Sequence, residues 1–271
     1  MDRRLTPFSG RLAHVSLRDL IDAPFTEGEA ALVVAPLADL LSQPDGKRDR
    51  QLLLGEAVTV IDRDRGHVFV QAAKDGYCGW MADGAVGLGA TPTHWVATAG
   101  THLYREPRAQ ALELTALSLG ARVAVIAQVG AWAETPIGFL PSSHLKRIGD
   151  WAADPVAVAE SLIGTPYLWG GNSRAGLDCS GLVQLSLNAA GLACPGDSDL
   201  QSAVGVALGP DMPLERGDLI FWKGHVAIAT DASRLIHANG HTMSVAYEGI
   251  NDSIERIGTQ GGGPVTARRR P

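Results

Sequence analysis

From about residue 29 the chain sets short apolar stretches between Gly, Pro and Asp: ALVV, AVTVI and HVFV, then DGYCGWM. Val58 and Val60 flank Thr59 in the two-residue alternation of a strand with one buried face, and turn residues close each stretch. The pattern predicts short antiparallel strands. It also repeats. Leu54-Gly55-x-x-Val58-x-Val60-Ile61 returns 65 residues later as Leu119-Gly120-x-x-Val123-x-Val125-Ile126. Gly79-Trp80-Met81 corresponds to Gly138-Phe139-Leu140, and Leu41-x-x-Pro44 is loosely echoed by Leu103-x-x-x-Pro107. Two copies of an all-β unit of roughly 60 residues account for this, and one larger β domain is the alternative. Residues 1–28 are mixed and mostly polar, an arm expected to pack on the rest.

After Arg147 the period changes. Val156, Ala159, Leu162 and Ile163 fall at helical spacing, with Asp154 placed as N-cap, Pro155 at the first helical position and Gly164 as the stop. A glycine-rich loop leads to Cys179, and Leu182, Val183, Leu185, Leu187 and Ala190 fill a second helix that ends at Gly191. Three strand-like stretches follow at 219–222, 225–230 and 235–238. Helices followed by an antiparallel sheet predict an α+β domain. The division expected is an N-terminal arm (1–28), two β units (29–90 and 91–148) and the α+β domain (149–271).

Composition narrows the class. The 271 residues carry a net charge of −6, which argues against nucleic-acid or membrane-surface binding. Arg268–Arg270 form the one basic cluster and are expected to be a solvated tail. The first twenty residues hold no apolar run of the kind a secretory signal needs, and no stretch is long enough to span a membrane. Three widely spaced cysteines, Cys78, Cys179 and Cys194, are not a disulfide framework and fit a reducing compartment. The expected location is the cytoplasm.

Cys179 begins a helix, where unpaired N–H groups and the helix dipole stabilise a thiolate and the same turn can hold an oxyanion. A buried structural cysteine is the plainer alternative. His225 and His237 lie in successive strand-like stretches; with a hairpin symmetric about residue 231 they stand directly opposite, one orienting the other. Two unrelated polar residues on a solvated face are the alternative. Zinc would need close cysteine pairs, which are missing, and His241 is expected to be exposed.

These stretches carry a resemblance. Tyr167-Leu168-Trp169-Gly170-Gly171, Asp178-Cys179-Ser180-Gly181, Gly217-Asp218-Leu219-Ile220-Phe221, His225-Val226-Ala227-Ile228 and Leu235-Ile236-His237-Ala238 occur in the order found in the NlpC family of papain-like cysteine peptidases. Those enzymes cleave the γ-D-glutamyl bond of peptidoglycan stem peptides. The spacing and Gly-Trp ending of the β units resemble bacterial SH3 domains, small barrels often attached to cell-wall enzymes. The second copy matches less well, because Phe139 replaces the tryptophan. The fold implied is a papain-like α+β peptidase domain preceded by two SH3-like barrels.

By this resemblance Cys179 is the nucleophile, His225 the general base and His237 its orienting partner. Tyr167 lies near the oxyanion, or is simply a core aromatic beside Trp169. Trp169, Asp178 and Ser180 flank the site, Asp178 shaping the loop or capping the helix rather than moving a proton, and Asp218 is a turn residue. Cys194-Pro195-Gly196-Asp197-Ser198-Asp199-Leu200-Gln201 resembles the segment with which some members read a free N-terminal L-alanine, Asp197 and Ser198 holding its ammonium group, although Gly196 stands where an arginine is usual. In such members the first SH3 domain adds a tyrosine and a glutamate, here matched by Tyr77 and Glu56. The resemblance implies a γ-D-glutamyl-L-diamino acid endopeptidase acting on free murein peptides, with no metal or organic cofactor. Its rivals are a secreted hydrolase of intact stem peptides and a non-catalytic wall-binding protein. Neither the diamino acid nor the oligomeric state is legible in the residues.

Overall fold

A computed structural model describes all residues from Met1 to Pro271, which form two compact units, Met1–Asp150 and Trp151–Pro271. In the first unit the predicted repeat is visible strand for strand. A seven-stranded antiparallel sheet runs, in spatial order, through Arg48–Leu53, Leu37–Leu41, Cys78–Ala82, His67–Ala72, Ala57–Asp64, Glu29–Val33 and Val86–Gly87. Residues 94–147 retrace that order, but as two sheets. One holds Glu113–Ser118, Gly100–Tyr104, Gly138–Pro141, Trp132–Thr135 and Ala127–Val129, and the other Arg122–Val123, His94–Val96 and Leu145–Arg147.

The break falls where the first copy is already irregular. Its Ala57–Asp64 strand has a bulge between Val60 and Asp62, and the matching second-copy residues separate into Arg122–Val123 and Ala127–Val129. Trp80 pairs with Leu41, and Phe139 pairs with Tyr104 at the equivalent place. Gly55 and Gly120 both have φ in the left-handed region (75° and 87°), and each donates its N–H to the entry strand of its own copy, at Val33 and Val96. Val33, Leu40, Leu52, Val58, Val60, Val68, Val70 and Met81 form the core of the first copy. The N-terminal arm packs on it: Cys78 N–H donates to Arg4, and Ser9 Oγ to Asp62.

The second unit is α+β. Helix α1 (Pro155–Glu160) starts as the sequence predicts, Asp154 Oδ1 accepting the Val156 N–H at 2.8 Å with Pro155 at the first position. Helix α2 (Cys179–Ala189) is buried on nearly every side and contacts the strands His225–Ala229 and Arg234–Asn239. A short helix α3 (Ser198–Gln201) follows. The six-stranded antiparallel sheet runs Val206–Ala207, Ala267–Arg270, Leu219–Trp222, His225–Ala229, Arg234–Asn239 and Ser244–Gly249. One of its faces packs Ile220, Trp222, Ala227, Ala229 and Leu235 against Ile250 and Ile257 of helix α4 (Ile250–Ile257).

The C-terminal arginines are therefore not a solvated tail. Ala267–Arg270 is an internal strand of this sheet, pairing with both Leu219–Trp222 and Val206–Ala207. Arg270 Nε and Nη2 donate to the buried Asp218 carboxylate at 2.8 and 2.9 Å, and Asp218 also accepts the Glu215 N–H. Asp218 thus fixes a turn and anchors a strand with one side chain.

Candidate active site

The start of α2 is held by Asp178. Its carboxylate accepts the Gly181 N–H at 2.6 Å, the Ser180 hydroxyl at 2.9 Å and the Gly170 N–H at 2.9 Å. These contacts make Asp178 the helix cap and the clasp of the Tyr167–Gly171 loop, its oxygens already engaged. A side chain at Gly181 would meet the Gly171 carbonyl at 2.3 Å, so the loop closes over the first turn of the helix only with glycine there.

Cys179 is buried at the start of α2, which packs on the His225–Ala229 strand, and the nearby backbone N–H groups of Val226 and Ser180 favour its ionised form. Val226 directly follows His225, so the thiol lies against the strand that carries the histidine. Burial first, and the Asp178 charge second, push the thiol up to about 12 despite those donors. Burial thus favours a neutral thiol at rest, against the pull of its place at a helix N-terminus toward the thiolate. The Tyr167 phenol is likewise pushed up to about 12, by burial first and then by Cys179, when ionised, and the Asp178 charge.

His225 and His237 meet, though not as direct cross-strand partners. The register pairs Ile228 with Ile236 and Ala229 with Leu235, so the hairpin is centred on residue 232 and the histidines are diagonal neighbours on one face. The turn sets this centre, because Asp231 Oδ1 accepts the N–H groups of Ser233 and Arg234 and Thr230 closes on Arg234. His225 Nε2 lies 2.9 Å from His237 Nδ1.

A third residue continues this line across the sheet, and sequence reading missed it. His237 pairs with Ala246, which makes Glu248 its diagonal neighbour on the next strand. Glu248 Oε2 stands 3.1 Å from His237 Nε2, off the hydrogen-bond line, and both Glu248 oxygens accept from Arg256 at 2.7 Å. The carboxylate favours a proton on His237 Nε2, which leaves Nδ1 to accept from His225 Nε2–H and His225 Nδ1 unprotonated. Burial drives both imidazoles below the usual range, His225 to about 4 and His237 to about 3, so both are neutral near pH 7. A neutral base on the strand that packs against the helix of a neutral thiol can abstract a proton as a bond forms.

Asp197 and Ser198 are tied to the same helix by Gln201. The Gln201 amide donates to the carbonyls of Ser180 (2.9 Å), Gly196 (2.9 Å) and Pro195 (3.1 Å), linking the residue after the cysteine to the Asp197–Ser198 turn. Trp169 is exposed beside the loop, as is His241. Tyr77 and Glu56 belong to the other unit, where each has a structural role. The Tyr77 ring is buried in the β core with the Arg50 guanidinium over it. The Glu56 carboxylate holds Lys74 at 2.7 Å and accepts the Leu53 N–H.

The NlpC/P60 family model matches residues 164–256, and the bacterial dipeptidyl-peptidase Sh3 domain model matches 40–86. A gamma-D-glutamyl-L-lysine dipeptidyl-peptidase of Bacillus cereus is 29% identical over 238 residues, 76% of this chain and 71% of its own. Dipeptidyl-peptidase 6 of Lysinibacillus sphaericus is 26% identical over 239 residues, 77% of this chain and 87% of its own. In fold, the chain is similar to a crystal structure of an NlpC/P60 family protein from Bacillus cereus, with a TM-score of 0.75, 24% identity, and coverage of 89% of this chain and 99% of the other. The chain is a cysteine peptidase that joins a bacterial dipeptidyl-peptidase SH3 domain to a domain of the NlpC/P60 family.

Proposed function

We propose that this peptidase hydrolyses the γ-D-Glu–diamino acid bond of free murein peptides bearing an N-terminal L-Ala, as a step of peptide recycling in the cytoplasm. The observation that carries the reading is the Cys179 thiol lying against the strand of His225, which is in turn hydrogen-bonded to His237. The names of the relatives supply the bond class, and the Asp197–Ser198 turn, fastened to the nucleophile helix by Gln201, supplies the amine reader.

His225 Nδ1 takes the Cys179 proton as the sulfur attacks the γ-carbonyl of D-Glu. The oxyanion is met by backbone N–H groups at the start of α2 and by the Tyr167 hydroxyl. Collapse breaks the C–N bond, and the imidazolium returns its proton to the departing amine. Water activated by His225 then attacks the thioester, releasing L-Ala-D-Glu and restoring the thiol. Asp197 and Ser198 hold the substrate ammonium group, and the exposed Trp169 indole flanks the peptide. The strand-for-strand match of residues 91–148 to the first copy supports a second SH3-like barrel there.

The test compares L-Ala-γ-D-Glu-L-Lys with its N-acetylated form. The free amine should be preferred by about tenfold or more, the worth of a hydrogen-bonded charge pair. Equal rates on the two would remove amine recognition and favour a hydrolase of intact stem peptides. Cys179→Ser should abolish cleavage of the free peptide, and full retention would end the cysteine mechanism.

A further inference from the structure

Beside His225 lies a cavity of about 380 Å³, walled by Asn239, Gly240, His241, Arg256 and Gln260. The mechanism above uses none of these walls. Asn239 is 4% exposed, and its Oδ1 accepts the His241 N–H (3.0 Å), the Thr242 N–H (2.8 Å) and the Thr242 hydroxyl (3.2 Å). Three donors on that oxygen fix which end of the amide is which. The other end, Nδ2, is buried with no hydrogen-bond partner, in a residue that lines the cavity. Asn239 and His225 line the same cavity.

A buried amide N–H without an acceptor is costly, and a native protein keeps one where something else supplies the acceptor. The rest of the lining agrees in sign. Arg256 spends Nε and Nη2 on Glu248, but Nη1 has only the Gln260 oxygen at 3.2 Å. His241 adds an imidazole, and no carboxylate lines the cavity. The wall therefore presents donors and asks for an anionic acceptor.

Given the peptidase reading above, on which this inference rests, the acceptor can be identified. His225 protonates the nitrogen of the residue that leaves, so that residue occupies the space beside the imidazole. We propose that this cavity is the subsite for a carboxylate of the released diamino acid. Two carboxylates qualify: the α-carboxylate, two bonds from the scissile nitrogen, and the distal carboxylate of a diaminopimelate side chain.

Three peptides separate them: L-Ala-γ-D-Glu-L-Lys, its C-terminal amide, and L-Ala-γ-D-Glu-meso-diaminopimelate. A fall in kcat/KM of about tenfold or more on amidation assigns the α-carboxylate, that being the worth of a charge-assisted hydrogen bond. No effect of amidation, with a preference of similar size for the diaminopimelate peptide, assigns the distal one. In either case Asn239→Asp keeps the oxygen that organises the turn, replaces the donor by an anion and removes the preference; a preference that survives it overturns the subsite. Where that variant fails to fold, the wild-type comparison decides alone. A wild type that cleaves all three peptides alike overturns the subsite and leaves the peptidase reading standing. One that cleaves none of them overturns the peptidase reading, and the subsite with it.

Discussion

His225 Nε2 and His237 Nδ1 lie 2.9 Å apart, and only one proton fits between them. With His225 as the donor, His237 decides which nitrogen of His225 is left unprotonated, Nδ1, the proposed base. His237→Ala removes that acceptor and should lower kcat on the order of 10³-fold with little change in KM. His237→Asn, which restores an acceptor, should recover part of the loss. Equal kcat in the wild type and the alanine variant would show that His225 needs no partner.

Glu248 acts one step behind. Its charge raises the affinity of both imidazoles for protons, while Arg256 lowers it. Glu248→Gln removes the raising charge and leaves the Arg256 cation unpaired, so the acid limb of the kcat profile should move to lower pH. A loss in kcat of about tenfold should accompany it, the usual scale for a partner that orients a functional histidine. The double variant Glu248→Gln/Arg256→Gln should bring the limb part of the way back. A superimposable pH profile for Glu248→Gln would reduce this pair to scaffolding.

The same buried imidazoles link stability to pH. Their folded values of about 4 and about 3 lie below the ordinary 6.5, so the unfolded chain binds more protons in between. Their contribution is complete above 6.5 and drains away as pH falls through about 4. Urea midpoints should therefore hold steady between about pH 7 and 8 and decline below about pH 6. His237→Gln, which cannot take up a proton, should show a shallower decline. An equal slope in both proteins would place the acid sensitivity elsewhere.

Deleting residues 267–271 tests the C-terminal strand. It strips Leu219–Trp222 of one neighbour, leaves Val206–Ala207 without a sheet and buries Asp218 without its arginine. The shortened chain should lose the cooperative unfolding transition of the peptidase unit, since leaving a buried carboxylate unpaired and a core strand unmatched is severe. Circular dichroism melting would register it; a transition of unchanged midpoint would return these residues to the role of a loose end.

Much of this architecture was legible in residue patterns because it rests on local chemistry. The two β copies announce themselves through Leu54-Gly55 and Leu119-Gly120, whose glycines take up the same left-handed turn. Asp154 and Asp178 read as helix caps because capping needs only neighbouring residues. What escaped depends on register between strands. A turn organised by the Asp231 side chain moves the hairpin centre by one residue and turns direct partners into diagonal ones. Glu248 faces His237 only through the pairing of a strand that sequence reading did not anticipate. Ala267–Arg270 has no apolar alternation at all, so nothing in its own residues distinguishes it from a solvated end.

The neutral state of Cys179 bears on how the protein endures between substrates. Oxidants and alkylating reagents attack thiolates, and a thiol pushed up to about 12 beneath its loop offers them almost none. Under the proposed mechanism its sulfur turns nucleophilic only as His225 takes the proton and a carbonyl is already in place. Idle molecules should thereby accumulate less sulfenic and sulfinic damage than cysteines kept permanently ionised, the same burial that silences the nucleophile prolonging its chemical lifetime.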